Sequence, residues 1–405
     1  MSGPDRAAEG HRADLEEAAV RDRLDRVGRS VSYYRRPADG RRAAHPPHTR
    51  IGWTTGLALG LAVVLVIAMA LLNLVTVDKV LYRPAGVHDT LGEIDGQPIV
   101  NVEGLETYET SGSLDFLTII IDGGPRSDVT AWDWLLAELD PAVDVFDAAD
   151  IYPPDVTAQE IQEENVQLMT QSQLGAAVVA LRATGIEVPE EVKVGQIIKG
   201  APAAEALEVD DQILSVDGTK IDNPEEVRVQ LQEHEPGDAV SFTLLRDGEE
   251  IELDVPTGES DPDTLEPDAP PRTIIGVYLA SDFDLPYEVT IDAGNVGGPS
   301  AGMMFSLAIY DKITPGPLTG GKRFAGTGTI NSDGTVGGIG GIVQKMYAAE
   351  RQGVDYFLAP AANCAQVVGR IPGDLEVIRI ENFTQARDIV EALGEDEDIT
   401  VPRCS

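Results

Sequence analysis

Histidine is scarce in this 405-residue chain, and its placement excludes more than its number does. The five histidines are His11, His45, His48, His88 and His234, so none follows Ser300 in the segment Gly298-Pro299-Ser300-Ala301-Gly302. A Gly-x-Ser-x-Gly segment fits the nucleophile elbow of α/β-hydrolases, whose partners come in the order serine, acid, histidine. Here that order is impossible. Cysteine is scarcer still: Cys364 and Cys404 are the two, and with only isolated histidines beside them they show no metal-ligand spacing, so no metal is expected. Cations are outnumbered, 30 Lys and Arg against 69 Asp and Glu, for a net charge of −39. Such an acidic balance argues against nucleic acid and against anionic lipid as partners, and its ordinary meaning is solubility. Nucleotide motifs are missing too. Gly316-x4-Gly321-Lys322 resembles a phosphate-binding loop, but Arg323 stands where Ser or Thr should hold Mg2+, and Pro315 and Pro317 make the stretch a turn. Neither a cofactor nor a nucleotide is expected.

Long apolar runs are absent except for one. Ile51–Val77 contains no charged residue and is long enough to span a membrane as a helix. Its Ala68-Met69-Ala70 triplet also reads as a signal-peptidase site, but some fifty residues precede the run and it is long for a signal core. From Arg29 to Arg50 there are six arginines against Asp39 alone, which predicts a cytoplasmic N-terminus and places everything from Asp78 onward outside the cell membrane. Residues 1–50 hold eleven Arg and eight Asp or Glu, net +3, with few large apolar groups, and read as a disordered tail. The rest therefore carries −42. An extracellular setting permits a disulfide between Cys364 and Cys404, although both could equally stay free.

With histidine excluded, Ser300 as a nucleophile would need a lysine as its base. A lysine serves only if its ammonium is destabilised, because at its free pKa of roughly 10.4 it keeps its proton at neutral pH. Burial supplies that. Ile342–Gln352, stopped by Gly353, has helical spacing with Ile342, Met346 and Ala349 on one face, and Lys345 falls inside this stripe. Each residue also has a plainer reading: Lys345 as a snorkelling side chain with its head in water, Ser300 as a cap or first-turn residue after Pro299.

The surroundings of both residues resemble the proteolytic domain of Lon proteases. The nucleophile segment of that family is matched by 298–302, and its lysine segment by Gly340-Gly341-Ile342-Val343-Gln344-Lys345. Between them a Thr-Gly-Glu strand is matched by Thr327-Gly328-Thr329, and Ala348–Gly353 with Val354–Pro360 continue the pattern. Gly297 stands where the ATP-dependent enzymes carry aspartate, and Thr329 replaces their glutamate. The resemblance implies Ser300 as nucleophile, Lys345 as general base, Thr327 as its support, and the backbone amides of Gly297, Gly298 and Ser300 as oxyanion donors. It also implies a tendency to form homo-oligomeric rings.

A second unit, 175–257, resembles a PDZ domain: Val192–Ala203, then Leu207–Gly218, then a helix capped by Asn223-Pro224, then strands Val240–Leu245 and Glu250–Val255 around Asp247-Gly248. The resemblance implies that an extended peptide adds as a strand, with the binding loop ahead of a strand at Ala180–Val188; the alternative is a spacer or gate. Upstream, Ile99–Val102, Ser113–Ile121 and Val143–Ala148 read as strands and Trp132–Glu138 as a helix, and the stretch from Tyr108 resembles the first strands of a Lon proteolytic domain interrupted by the PDZ unit.

The expected architecture is an α/β (α+β) Lon-type proteolytic domain plus a mainly β PDZ domain, preceded by one transmembrane helix. Its parts run 1–50 tail, 51–77 span, 78–174 juxtamembrane α/β segment, 175–257 PDZ, 258–271 acidic Pro-rich linker, 272–395 proteolytic domain and 396–405 tail. The whole chain resembles the membrane-anchored, PDZ-containing Lon-like proteases of Gram-positive and actinobacterial type. That implies an ATP-independent serine endopeptidase acting on exported or membrane-proximal proteins, against the alternative of a non-catalytic PDZ scaffold with an inert Lon-like domain.

Overall fold

A computed structural model describes residues 52–94, 96–153, 156–260, 272–294 and 296–405. The expected tail over 1–50 and most of the linker, 261–271, lie outside the described residues.

Helix α1 (Trp53–Leu72) buries none of its residues and has a mean hydropathy of 2.6, so it is long and apolar enough to cross a membrane. It ends five residues before the expected Val77. Asn73 donates through Nδ2 to the Met69 carbonyl at 2.9 Å, capping the last turn, and the chain then extends into β1 (Thr76–Val77).

Strand β2 (Lys79–Asp89) follows, then β3 (Val100–Glu103), β4 (Ser113–Gly123), β5 (Val129–Thr130), helix α2 (Ala131–Ala137), β6 (Asp144–Asp147) and the long helix α3 (Ala158–Ala183). Both α2 and α3 start on capping boxes, Thr130 with Asp133 and Thr157 with Glu160. The strand expected at Ala180–Val188 is instead the end of α3 and its exit turn. An apolar run such as Gly175–Leu181 has the composition of a buried strand, but it is buried on all sides within a 26-residue helix.

The PDZ sheet consists of β7 (Glu190–Ile197), β8 (Gln212–Val216), β9 (Ala239–Arg246), β10 (Glu249–Pro256) and β11 (Val277–Phe283), with helix α4 (Pro224–Leu231) against it. Its order is β10-β9-β8-β7-β11, antiparallel throughout. The last strand was expected in the proteolytic domain. It pairs with β7 from Val277–Ile197 to Phe283–Glu190, so the PDZ sheet is completed from beyond the linker. Gly258–Glu259 pairs antiparallel with Thr273–Ile274 in a separate two-stranded sheet.

The chain then runs through β12 (Glu288–Ile291), α5 (Gly302–Ile313), β13 (Arg323–Gly326), β14 (Thr329–Ile330), β15 (Val336–Gly337), α6 (Ile342–Gln352), β16 (Tyr356–Pro360), β17 (Glu376–Ile380) and α7 (Phe383–Gly394). Strands from both sides of the PDZ segment share one six-stranded sheet, ordered β17-β16-β13-β4-β2-β6. Strand β4 pairs parallel with β13 (Leu114–Phe324) and antiparallel with β2, while β12 pairs with β3. Helix α5 is buried over its first two turns: Met303, Met304, Phe305, Leu307, Ala308 and Ile309 are each 0% exposed. Burial of that size, at about 1.5–3 kcal/mol per large side chain, makes α5 a fixed core element. The C-terminal segment is not free either. Pro402 accepts the Arg379 amide at 2.9 Å, Ile399 and Val401 pack on the core, and Cys404 is disulfide-bonded to Cys364.

Candidate active site

Ser300 sits where the chain turns from an irregular segment into α5. Gly298 has φ of +85°, a left-handed conformation that glycine adopts without penalty, and it turns Pro299 and Ser300 toward the sheet. Gly302 opens α5 in a contact too tight for a side chain: a Cβ there would lie 2.6 Å from Ser172 Oγ and 3.2 Å from the Ile330 backbone nitrogen. Helix α5 can therefore press against α3 and β14, and its N-terminal end points at Ser300.

The run Arg323–Ile330 is broken into β13 and β14, each in a different sheet. The break frees Thr327 and Gly328 to hold the serine. The Ser300 carbonyl accepts from Gly328 N–H at 2.8 Å and from Thr327 Oγ1 at 2.9 Å, and Met303 N–H returns to the Gly328 carbonyl at 3.1 Å.

Lys345 arrives from α6. Ile342, Met346 and Ala349 are 1%, 0% and 0% exposed, and Lys345, in the same stripe, is 2% exposed. Its head does not snorkel to water. Nζ lies 2.7 Å from Ser300 Oγ and 2.8 Å from Thr327 Oγ1. Burial pushes its pKa down to about 7, with no charged partner opposing the shift. A neutral amine with one lone pair toward Ser300 and an N–H on Thr327 is thus accessible near neutral pH, and Thr327 completes a relay by donating its own hydrogen to the Ser300 carbonyl.

One expected oxyanion donor is already engaged. The Gly298 amide donates to the Asn165 carbonyl of α3 at 2.9 Å, and a Cβ on Gly297 would stand 3.0 Å from Asn165 Cβ. Helix α3 touches this loop at two further points: Ser172 Oγ donates to the Pro299 carbonyl at 2.9 Å and Gln173 Nε2 to the Ile291 carbonyl at 3.1 Å. Asn165 and Ser172 were not legible beforehand as site residues. The only signals were the capping box that sets the start of α3 and the small residues Gly175, Ala176 and Ala177 that allow close packing.

In front of Ser300 and Lys345 is a cleft of about 480 Å³. Leu117, Ile119 and Ile121 of β4 with Tyr82 of β2 form an apolar wall, and Arg126, Gln162 and Asn165 a polar rim. The phosphate-loop look-alike is elsewhere: Lys322 is bound to the Leu393 carbonyl and to Asp396, at the end of α7. Cys364 and Cys404 form a disulfide, and Cys404 packs against the cluster that includes Ile342, Val343 and Met346 of α6. Among the described residues no cluster of His, Cys, Asp or Glu is suited to a metal.

A second concavity, of about 390 Å³, lies between β11 and α4. Val227 and Leu231 face Ile275, Val277 and Leu279 across it, and Arg228 and Arg272 stand at its margin. Strand β11 is the end of the PDZ sheet, so its outer edge faces this groove. The segment leading into it is Ile274-Ile275-Gly276-Val277, on the far side of the linker from where the sequence reading had placed the binding loop.

Residues 172–257 match the PDZ domain family and residues 286–393 the Lon protease (S16) C-terminal proteolytic domain. The chain is 32% identical over 120 residues to the Lon protease of Halothermothrix orenii, covering 29% of this chain and 15% of that protein. It is 31% identical over 109 residues to Lon protease 2 of Bacillus subtilis, covering 27% and 19%. The chain thus spans less than a fifth of the length of these relatives. The solved PDZ domain of an SdrC-like protein from Listeria monocytogenes is 22% identical, over 22% of this chain and 85% of that one, with a TM-score of 0.19. Residues 172–257 thus match a PDZ domain and residues 286–393 a Lon-type (S16) proteolytic domain, and strands from both sides of the first stretch share one sheet.

Proposed function

We propose that this protein is a membrane-anchored serine endopeptidase that works without ATP through a Ser300–Lys345 dyad. The carrying observation is the buried Lys345 amine 2.7 Å from Ser300 Oγ, with its pKa lowered to about 7 and no histidine or carboxylate among the described residues hydrogen-bonded to it. In this reading a peptide lies in the cleft with its scissile carbonyl over Ser300. Oγ attacks as its proton passes to Nζ; the tetrahedral oxyanion is held by the amides of Ser300 and Gly297 at the positive end of α5. The Lys345 ammonium then protonates the leaving amine, and water hydrolyses the acyl-enzyme by the same exchange in reverse. Thr327 is the positioning residue for the amine.

Helix α1 is the anchor, the N-terminal tail is cytoplasmic, and the two folded units act outside on exported or membrane-proximal proteins. The PDZ groove supports recruitment or gating: an extended peptide adds to the free edge of β11, its alternate side chains over Val227 and Leu231. A covalent serine probe tests the core of the proposal. Labelling that maps to Ser300 and disappears in Ser300→Ala is the expected result; an unlabelled, fully folded wild type would make the chain a PDZ scaffold with an inert Lon-like domain.

A further inference from the structure

Helix α2 presents apolar side chains that nothing among the described residues covers. Trp134, Leu135 and Leu136 are 36%, 44% and 45% exposed, and Leu139 just beyond the helix is 75% exposed. Leu74 and Val75, between α1 and β1, are 80% and 53% exposed. These two groups are held together. Strand β1 pairs with β5, Thr76 opposite Thr130, and the Ala131 amide at the start of α2 donates to the Val75 carbonyl at 2.7 Å. The result is one apolar surface at the point where the chain leaves α1.

Chain geometry says what meets this surface. Val75 is three residues past Leu72, a reach of at most about 11 Å at ~3.5 Å per residue. The polar layer of a bilayer is roughly 5–7 Å thick on each side of the hydrocarbon. If α1 spans, the start of α2 cannot be far from that layer, and Trp with several Leu is the composition that settles there. We propose that the exposed face of α2, with Leu74 and Val75, docks into the interfacial layer of the bilayer that α1 spans. This rests on the reading of α1 as an anchor. The nearby carboxylates oppose an electrostatic mode: Asp133 serves the capping box, Glu138 accepts from Trp134 Nε1 at 3.0 Å, and Asp140 accepts from the Ala142 amide at 2.9 Å. The contact is therefore apolar insertion into neutral lipid. Docking at two points fixes the attitude of the folded region to the membrane where a single tether would leave it free.

The three tryptophans, Trp53, Trp132 and Trp134, make the test direct. Full-length protein is reconstituted in phosphatidylcholine vesicles containing lipid brominated near the headgroup, as W53F/W132F to isolate Trp134 and as W132F/W134F to isolate Trp53. Docking predicts that Trp134 is quenched by the bromines and shielded from aqueous acrylamide, and that L135E/L139E loses both effects. Trp134 open to acrylamide and untouched by bromine overturns the proposal. Shielding from acrylamide without bromine quenching also overturns it, because the cover is then a second copy of the chain. Trp53 reports separately on the span: Trp53 quenched with Trp134 unquenched sinks the docking and leaves the anchor, while neither quenched sinks both. Should W132F unfold, the difference between wild type and W134F gives the same readout.

Discussion

The molecule carries two clefts of comparable volume, about 480 Å³ before Ser300 and about 390 Å³ between β11 and α4, and they are built in opposite ways. The first is closed from behind by Ser300, Thr327 and Lys345, which come from three separate segments: the entry to α5, the break between β13 and β14, and the first turn of α6. Its walls are β2 and β4, contributed from before the PDZ segment. The second is an open sheet edge beside a single eight-residue helix. A reaction that moves a proton between Oγ and Nζ requires both atoms fixed to a few tenths of an ångström, which only a densely packed core provides. Adding a strand requires only a free row of backbone groups and pockets for alternate side chains. The two clefts should therefore respond very differently to substitution.

The largest effect is expected from Lys345→Arg. A guanidinium keeps its charge at any usable pH and cannot accept the Ser300 proton, so peptide hydrolysis should fall by about 10³-fold or more, as for loss of the serine itself. Near-normal turnover of a short peptide by this variant would mean that another base serves Ser300. Next comes the pH profile. Burial holds the Lys345 pKa at about 7, so kcat/KM should climb as the pH rises through that value and level off above it; a profile flat from pH 6 to 8 contradicts a lysine base. Thr327→Val removes the partner at 2.8 Å from Nζ while keeping the shape, and a loss of kcat of about 10–100-fold with little change in KM is anticipated.

A stability experiment sharpens the contrast within the same core. Asp311 is 0% exposed, spends Oδ1 on the Leu318 amide at 2.8 Å, and has no partner for Oδ2 among the described residues. Burial raises its pKa to about 6 from 3.8. A raised acid contributes stability that is full below its unfolded pKa and lost as the pH climbs through its folded one, here on the order of 3 kcal/mol between about pH 4 and 6. Comparing denaturant midpoints of wild type and Asp311→Asn across that range checks this: the difference between them should change in favour of the variant as pH rises, and a constant difference refutes the assignment. The smallest effect should come from the open groove. Leu231→Ala shortens one wall and should weaken binding of an extended peptide to the PDZ unit by roughly tenfold, leaving hydrolysis of a short unstructured peptide unchanged. Equal loss on both would show that the groove is coupled to the dyad.

Much of the site could be read from residue order. Ser300, Thr327 and Lys345 carry the resemblance, and α6 was legible because its apolar spacing put Lys345 on the inner face with Gly353 as a stop. The strands β3, β4 and β6 and the helix α2 were also legible, to within about two residues at their ends. The segment 175–188 was not. Its small apolar residues fit a buried strand as well as a buried helix, and only the packing of α3 on α5 decides between them. The same helix supplies Asn165 and Ser172, whose contacts to Gly298 and Pro299 depend on a neighbour more than 120 residues away. The PDZ sheet was misjudged at one end for a related reason: strand addition carries no sequence signature of which segment, before or after a linker, completes the edge.

By itself, the sequence determined the chemistry that is ruled out and the groups that remain: no histidine after Ser300, no metal spacing, one apolar helix, and a serine and a lysine in recognisable segments. Those are properties of residue type and local spacing. Tertiary structure alone decided that Lys345 loses its water and meets Ser300 at 2.7 Å, that the Gly298 amide is spent on Asn165, that β11 closes the PDZ sheet, and that α2, tied to Val75, leaves its leucines exposed. Each of these depends on which distant segments share a core, and burial, the quantity that shifts the lysine's pKa and leaves a leucine exposed, exists only once that core has formed.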